Sequence, residues 1–205
     1  MDFIGEINPS SLGKHKWILT TIDFFTKWVE AIPTRNATDK VIISFIQENI
    51  LSRFGCPKNL LTDNDNSFKS KAMVAFCEEN GIVLKHSTPY YPRGNVLAES
   101  TNKSIIQSIK KLLSQNKRSW DSMLKYALWA DKITIKKAIG TYPFQLVYGT
   151  DVVFPVQLGI PVMKFLQDSQ EEPSDIQRRV YALIELQQNR ESVEEKAQLY
   201  RNKIK

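Results

Sequence analysis

Three carboxylates and their surroundings carry the chemistry legible in this sequence. Asp63 follows an apolar run inside LLTDNDNSF (60–68), Glu99 follows a Pro- and Gly-containing stretch, and Asp2 lies in the strand-like DFIGEI (2–7). Taken alone, Asp63 and Asn64 read as a turn or a helix N-cap, roles that Asp and Asn favour. Asp2, Asp63 and Glu99 together read differently. Three carboxylates converging at one sheet edge repel, and some would protonate unless cations occupied the site. Hard oxygen ligands suit Mg²⁺ or Mn²⁺. Two such ions, roughly 3.5–4 Å apart, activate a water or a 3′-hydroxyl and stabilise the leaving oxygen of a phosphodiester. The formal charge of +6, from 28 Lys and Arg against 22 Asp and Glu, favours a polyanionic partner only weakly.

Other chemistries find little support. His15, His86, Cys56 and Cys77 lack the close paired spacing of a zinc module, so none is expected in this chain. The two cysteines read as reduced, buried and intracellular. The N-terminus has no basic region followed by a long apolar run, and no window approaches a membrane span. Because the chain opens inside strand-like residues, a fragment or truncated reading frame is expected.

The positioning elements follow from periodicity. Strands are expected over 2–7, 16–24 and 27–32, the last ended by Pro33, with a hairpin break near Phe25-Thr26-Lys27. A helix follows from Thr38-Asp39 to Gly55, with Val41, Ile42, Phe45, Ile46 and Ile50 at helical spacing. A central strand over 59–62 delivers Asp63 at its carboxyl end, the edge where ligands gather in open α/β sheets. A helix over 69–80 and a strand over 82–86 come next. The loop STPYYPRGNVLAES (87–100) leads into a long helix to about residue 115, bearing Ile105, Ile106, Ile109, Leu112 and Leu113 on its apolar face. A helix over 118–138 buries Trp120, Met123, Leu124, Ala127, Leu128 and Ala130. The pattern predicts an α/β architecture with a five-stranded mixed sheet flanked by helices. The domain expectation is a core over 1–160, a linker over 161–175 and a C-terminal amphipathic helical extension over 176–205.

The segments 2-DFIGEI-7, 18-ILTTIDFFTKWVEA-31, 52-SRFGCPKNLLTDNDNSF-68, 89-PYYPRGNVLAESTNKSI-105, 126-YALWA-130 and 141-TYPFQLVYGTDVVFP-155 carry a family resemblance. The chain resembles the integrase catalytic core of gypsy-type LTR retrotransposons and retroviruses, within the RNase H-like superfamily. That family has two Asp and a Glu with 35 residues between the second and third, and 35 residues lie between Asp63 and Glu99 here. The resemblance implies that Asp2, Asp63 and Glu99 are the catalytic, metal-binding carboxylates for Mg²⁺ or Mn²⁺. It implies strand transfer, in which a DNA 3′-hydroxyl attacks a target phosphodiester in line, without a covalent enzyme intermediate. Partners would be element ends, target DNA and further copies of the chain, with action in the nucleus after cytoplasmic assembly.

Lys103 lies one turn past Glu99 on the same helix face, where a DNA phosphate would lie. Lys110 and Lys111 extend this basic helix, and read equally as solvated surface lysines. Asn64 and Asn102 are expected to orient the site and meet DNA. Tyr90 and Tyr91 are candidates for stacking on DNA, with packing an equal alternative. Asp23 is a rival carboxylate at a hairpin end. His86 reads as a hydrogen-bonded residue at a strand end.

Three positions depart from the family text. Asp65 stands where Gly usually follows Asn, a concern if φ is positive there. Arg93 stands for Gln, and the β-branched Val96 replaces Gly or a polar residue in a flexible loop. These substitutions suggest a decayed element that keeps the core fold and the three acids. The competing function is an inactive DNA-binding or oligomerisation module. Cleavage of RNA in a hybrid duplex, as by other nucleases of the superfamily, fits the text around Asp63 poorly.

Overall fold

The computed structural model describes residues 1–87, 93–113, 116–152, 185–196 and 198–199, and only the backbone of 93–96. The chain divides into two compact units: Met1–Phe24 with Val29–Asp131, and Phe25–Trp28 with Lys132–Lys205. The segment 161–175 lies outside the described residues, as does most of the stretch 151–163 expected to be extended.

The first unit opens with β1 (Asp2–Ile4), β2 (Trp17–Ile22) and β3 (Val29–Thr34), an antiparallel sheet in the order β1-β2-β3. Asp2 faces Thr20 in register, and Ile18 faces Pro33. Pro33 therefore lies inside β3 rather than ending it. Only β2 pairs with β3 in this sheet, and an edge strand tolerates proline because one row of its backbone groups needs no partner. β1 is shorter than expected. It stops at Gly5, whose φ is +151° and where an added Cβ would lie 2.7 Å from the Trp17 ring.

Next comes a helical run, α1 (Asp39–Phe45), a π-helical segment at Ile46–Leu51 and α2 (Ser52–Phe54), closed by Gly55 at φ +80°. β4 (Asn59–Thr62) and β5 (Val83–His86) pair in parallel and are connected through α3 (Lys71–Glu79). The Ser70 side chain caps α3 by accepting from Met73 N.

Among the described residues the expected continuous five-stranded sheet is not formed. The strands make a three-stranded and a two-stranded sheet. Met1 N donates to Leu61 O across the junction at 2.6 Å. Asp2 then sits beside Asp63, so β1 begins where β4 ends.

The strand alternation of β2 explains how both faces of the three-stranded sheet are covered. Leu19 packs with Ile42, Phe45, Ile46, Phe68 and Met73, whereas its neighbour Ile18 packs with Ile105, Ile109, Trp120 and Leu124. These partners come from α1, the π-helical segment after it, the turn at Asn66–Lys69 and α3 on one side. On the other they come from α4 (Arg93–Leu112) and α5 (Trp120–Lys132).

α4 starts inside the segment expected to be a loop, which places Val96 in its first turn and Glu99 in its second. Its buried stripe is Ala98, Asn102, Ile105 and Ile109, and Leu112 is exposed. α5 ends six residues earlier than expected. The β-branched run Ile133-Thr134-Ile135 follows its end, and such residues lose side-chain freedom in a helix. Its inward stripe takes in Asp131 rather than Ala130, continuing the spacing of Leu124 and Leu128.

In the second unit, α6 (Pro143–Tyr148) ends at Gly149, φ +73°. Phe25, Ile139, Leu146 and Val193 form its core. The Trp28 ring meets Phe144 and Tyr148, with Lys132 Nζ 4.2 Å above it. Residues 185–196 and 198–199 are helical, within the expected C-terminal helix, and the Arg190 guanidinium donates to Leu146 O at 3.1 Å.

Candidate functional site

The offset between β1 and β4 creates the site. Asp63 leaves the end of β4, and Asp2 opens β1 beside it. The two carboxyls are close enough to act on one another electrostatically. Burial, and next the negative charge of Asp63, push the Asp2 pKa up to about 6; the Met1 amino group and the Phe3 N–H act in the other direction. Asp2 therefore holds a proton well above the ordinary carboxylate range, near 3.9.

Asp2 is held from two elements. Asn102 Nδ2, on α4, donates to Asp2 Oδ2 at 2.8 Å. Asn102 Oδ1 in turn lies 2.9 Å from the Thr20 hydroxyl, which is also 3.1 Å from Asp2 O. That hydroxyl has one proton, so it serves one acceptor at a time. Thr20 and Asn102 are both buried, and their mutual bond lets Asn102 spend its amide on the carboxylate without leaving an unpaired polar atom.

Asp63 is held by its own turn. Its Oδ1 accepts from Asp65 N at 3.2 Å, and Asp65 Oδ1 accepts from Ser67 N at 2.8 Å. Asp65 has φ −60°, so the conformation there does not demand glycine. The concern raised by the missing Gly is thereby removed: Asp65 is the N-cap of a short 3₁₀ turn, a role its side chain fills well.

Residues 1–92 match the family model of the integrase core domain. The chain carries an integrase core domain. It is 33% identical over 145 residues to the Pol polyprotein of Radiation murine leukemia virus (strain Kaplan), covering 70% of this chain and 25% of that protein. It is 31% identical over 137 residues to the Gag-Pol polyprotein of Avian reticuloendotheliosis virus, covering 67% of this chain and 12% of the relative. The chain thus spans a quarter or less of the length of these relatives. Among solved structures, the cryo-electron microscopy structure of the simian T-cell lymphotropic virus intasome, in complex with PP2A regulatory subunit B56 gamma, contains a similar chain. The two align with a TM-score of 0.58 at 23% identity, over 68% of this chain and 50% of that one, a likeness of fold.

Glu99 and Lys103 share an exposed face of α4, one turn apart, while Asn102 beside them points inward to Asp2. Among the described residues, no three His, Cys, Asp or Glu side chains are gathered closely enough to hold a metal ion. Asp2 and Asp63 are thus brought together, whereas Glu99, exposed one turn before Asn102 on α4, does not join them in a cluster. Asn64 is exposed and donates from Nδ2 to Ser87 O. Lys110 and Lys111 are exposed in the last turn of α4. Tyr90 and Tyr91 lie outside the described residues, and nothing is said of the Arg93 and Val96 side chains. Asp23 is exposed, just past the end of β2.

Thr20 and Thr62 are site residues that the pattern of the sequence left unremarked. Each is a polar residue that is almost completely buried at a strand position. Such a group needs a partner, and that requirement is the signal that finds both.

Proposed function

We propose that this integrase core is the catalytic part of a polynucleotidyl transferase from a gypsy-type LTR element or a related retrovirus. It would insert element DNA into target DNA. The observation that carries the reading is the placing of Asp2 beside Asp63, where burial first and the Asp63 charge second raise the Asp2 pKa to about 6. Two acids forced together in this way present hard oxygens to a divalent cation, which can take the place of the proton. Integrase cores generally use divalent metal ions. On this reading Asp2, Asp63 and Glu99 hold Mg²⁺ or Mn²⁺, which when bound supplies charge neutralisation and activation of the attacking hydroxyl.

The other residues bind and orient. Asn102 fixes the Asp2 carboxylate. Lys103 and Lys110 lie on the exposed side of α4, suited to DNA phosphates, and Asn64 and Tyr90 are the further candidates for DNA contact. Tyr126 and Trp129, about half exposed on one face of α5, suit packing against a further copy of the chain. The site of action is the nucleus, after assembly in the cytoplasm.

The exposure of Glu99, apart from the two aspartates, favours a second reading: a module that retains DNA or subunit contacts without turnover. A disintegration assay on branched DNA with Mn²⁺ separates the two. The transferase reading expects joined product that disappears in Glu99→Gln. DNA affinity unaffected by Glu99→Gln, with no product at any metal concentration, would establish the inactive module.

A further inference from the structure

The ends of β4 and β5 are fastened by a side-chain clamp centred on His86. Ser87 N donates to Thr62 O at 2.8 Å, continuing the parallel ladder one residue beyond the strands. The Thr62 hydroxyl donates to Asp63 O at 3.0 Å. His86 Nδ1 lies 2.9 Å from Thr62 Oγ1 and 3.4 Å from Asp63 O. Asn64 Nδ2 closes the group by donating to Ser87 O.

The proton count assigns the histidine. Asp63 O only accepts, and the Thr62 hydroxyl has a single proton, which it gives to that carbonyl. Nδ1 must then donate to Thr62 Oγ1. The opposite tautomer would draw the Thr62 proton onto Nδ1. Asp63 O would lose its donor and face a nitrogen lone pair. The lost hydrogen bond at Asp63 O and the lone-pair contact together disfavour that tautomer.

We propose that His86, as the Nδ1–H tautomer, is a positioning residue for Asp63. It holds the Asp63 peptide through Thr62 and so aims the carboxylate at Asp2. The structural part stands on these contacts alone; the consequence for metal binding rests on the function proposed above.

The geometry distinguishes two similar substitutions. An Asn amide nitrogen falls near the place of Nδ1, whereas a Gln amide nitrogen falls near that of Nε2. His86→Asn should keep the clamp, while His86→Gln and His86→Phe should break it.

Three measurements on the whole chain test this. Long-range ¹H–¹⁵N spectra of the imidazole should show the Nδ1–H pattern, and an Nε2–H pattern would overturn the assignment. Amide hydrogen exchange at Asp65, whose N–H bonds the Asp63 carboxylate, should quicken roughly five- to tenfold in His86→Gln and His86→Phe but not in His86→Asn, the scale of one lost hydrogen bond. The Leu19 amide serves as the core reference. Equal exchange at Asp65 in all three variants, or quickening matched at Leu19, would reject a positioning role.

The concentration of Ca²⁺ giving half-maximal thermal stabilisation should rise roughly tenfold or more in the Gln and Phe variants. Absence of any Ca²⁺ response in the unmodified chain, with the exchange pattern intact, would reject the metal-dependent function and leave His86 as assigned. A normal Ca²⁺ response in His86→Gln would do the reverse.

Discussion

Asp2 and Asp63 meet because β1 starts where β4 stops. The first residue of one strand and the residue just past the other stand side by side, and the charge of Asp63 bears on the Asp2 carboxyl.

That contact gives the apo protein a pH dependence of definite sign. Burial and the charge of Asp63 raise the Asp2 pKa to about 6, whereas the unfolded value is near 3.9. Between these values the folded state binds more protons than the unfolded one, so the contribution of Asp2 to stability falls as pH rises through this window and levels above it. Thermal unfolding across pH 4–8 should show this decline, and Asp63→Asn should reduce it. The rise in Tm caused by Mn²⁺ should be small at pH 5 and larger at pH 7.5, because the cation must displace the Asp2 proton.

Removing Asn102 should reveal how Asp2 is supported. Asn102→Ala deletes the donor to Asp2 Oδ2 and leaves the Thr20 hydroxyl without its amide partner. A loss of about 1–3 kcal/mol is expected in chemical denaturation, the scale of an unsatisfied buried polar group. Asn102→Asp should push the Asp2 pKa still higher, because it brings a third negative charge to the pair. Carboxyl ¹³C titration reads that shift directly.

A second clamp lies away from the site. His15 Nδ1 is 2.9 Å from Asp121 Oδ2, and Ser11 Oγ is 3.2 Å from the same nitrogen. Gly13 packs so closely there that an added Cβ would lie 2.7 Å from the His15 ring. Burial raises the Asp121 pKa, but bonds from His15, Ser11 and the Ser122 N–H outweigh it and hold the carboxyl below its ordinary value. Its stabilising effect is therefore full above the unfolded pKa, near 3.9, and is lost as pH falls through the folded value. Asp121→Asn should lower stability by about 1–3 kcal/mol at pH 7, with a smaller difference from the unmodified chain at pH 3.

Glu99 and Lys103 should separate chemistry from stability. Both are exposed, so Glu99→Gln and Lys103→Ala should each change unfolding free energy by less than about 0.5 kcal/mol. Glu99→Gln should abolish product on branched DNA. Lys103→Ala should weaken DNA binding across sequences and reduce the salt slope by about 1. A measurable drop in Tm for either variant would show that the residue supports the fold instead.

Local chemistry determined much of this protein without reference to the fold. The apolar run before Asp63 specified β4 to the residue, Asn59–Thr62, because a short apolar segment between two helical patterns has few other places to go. The helix face of Ile105 and Ile109 was equally legible, as was the turn chemistry at Gly55 and Asn80-Gly81. Tertiary structure decided what depends on partners. Pro33 stays within β3 because that strand lies at the edge of the sheet, a matter of neighbours rather than propensity. Asp65 serves as an N-cap with negative φ because the chain turns at once into a 3₁₀ segment. Helical order begins before Val96, since Ala98 and Asn102 find places against the core that local sequence cannot reveal. The elevated Asp2 pKa likewise appears in no stretch of residues: two acids 61 positions apart acquire it only when the offset of two strands brings their charges together out of water.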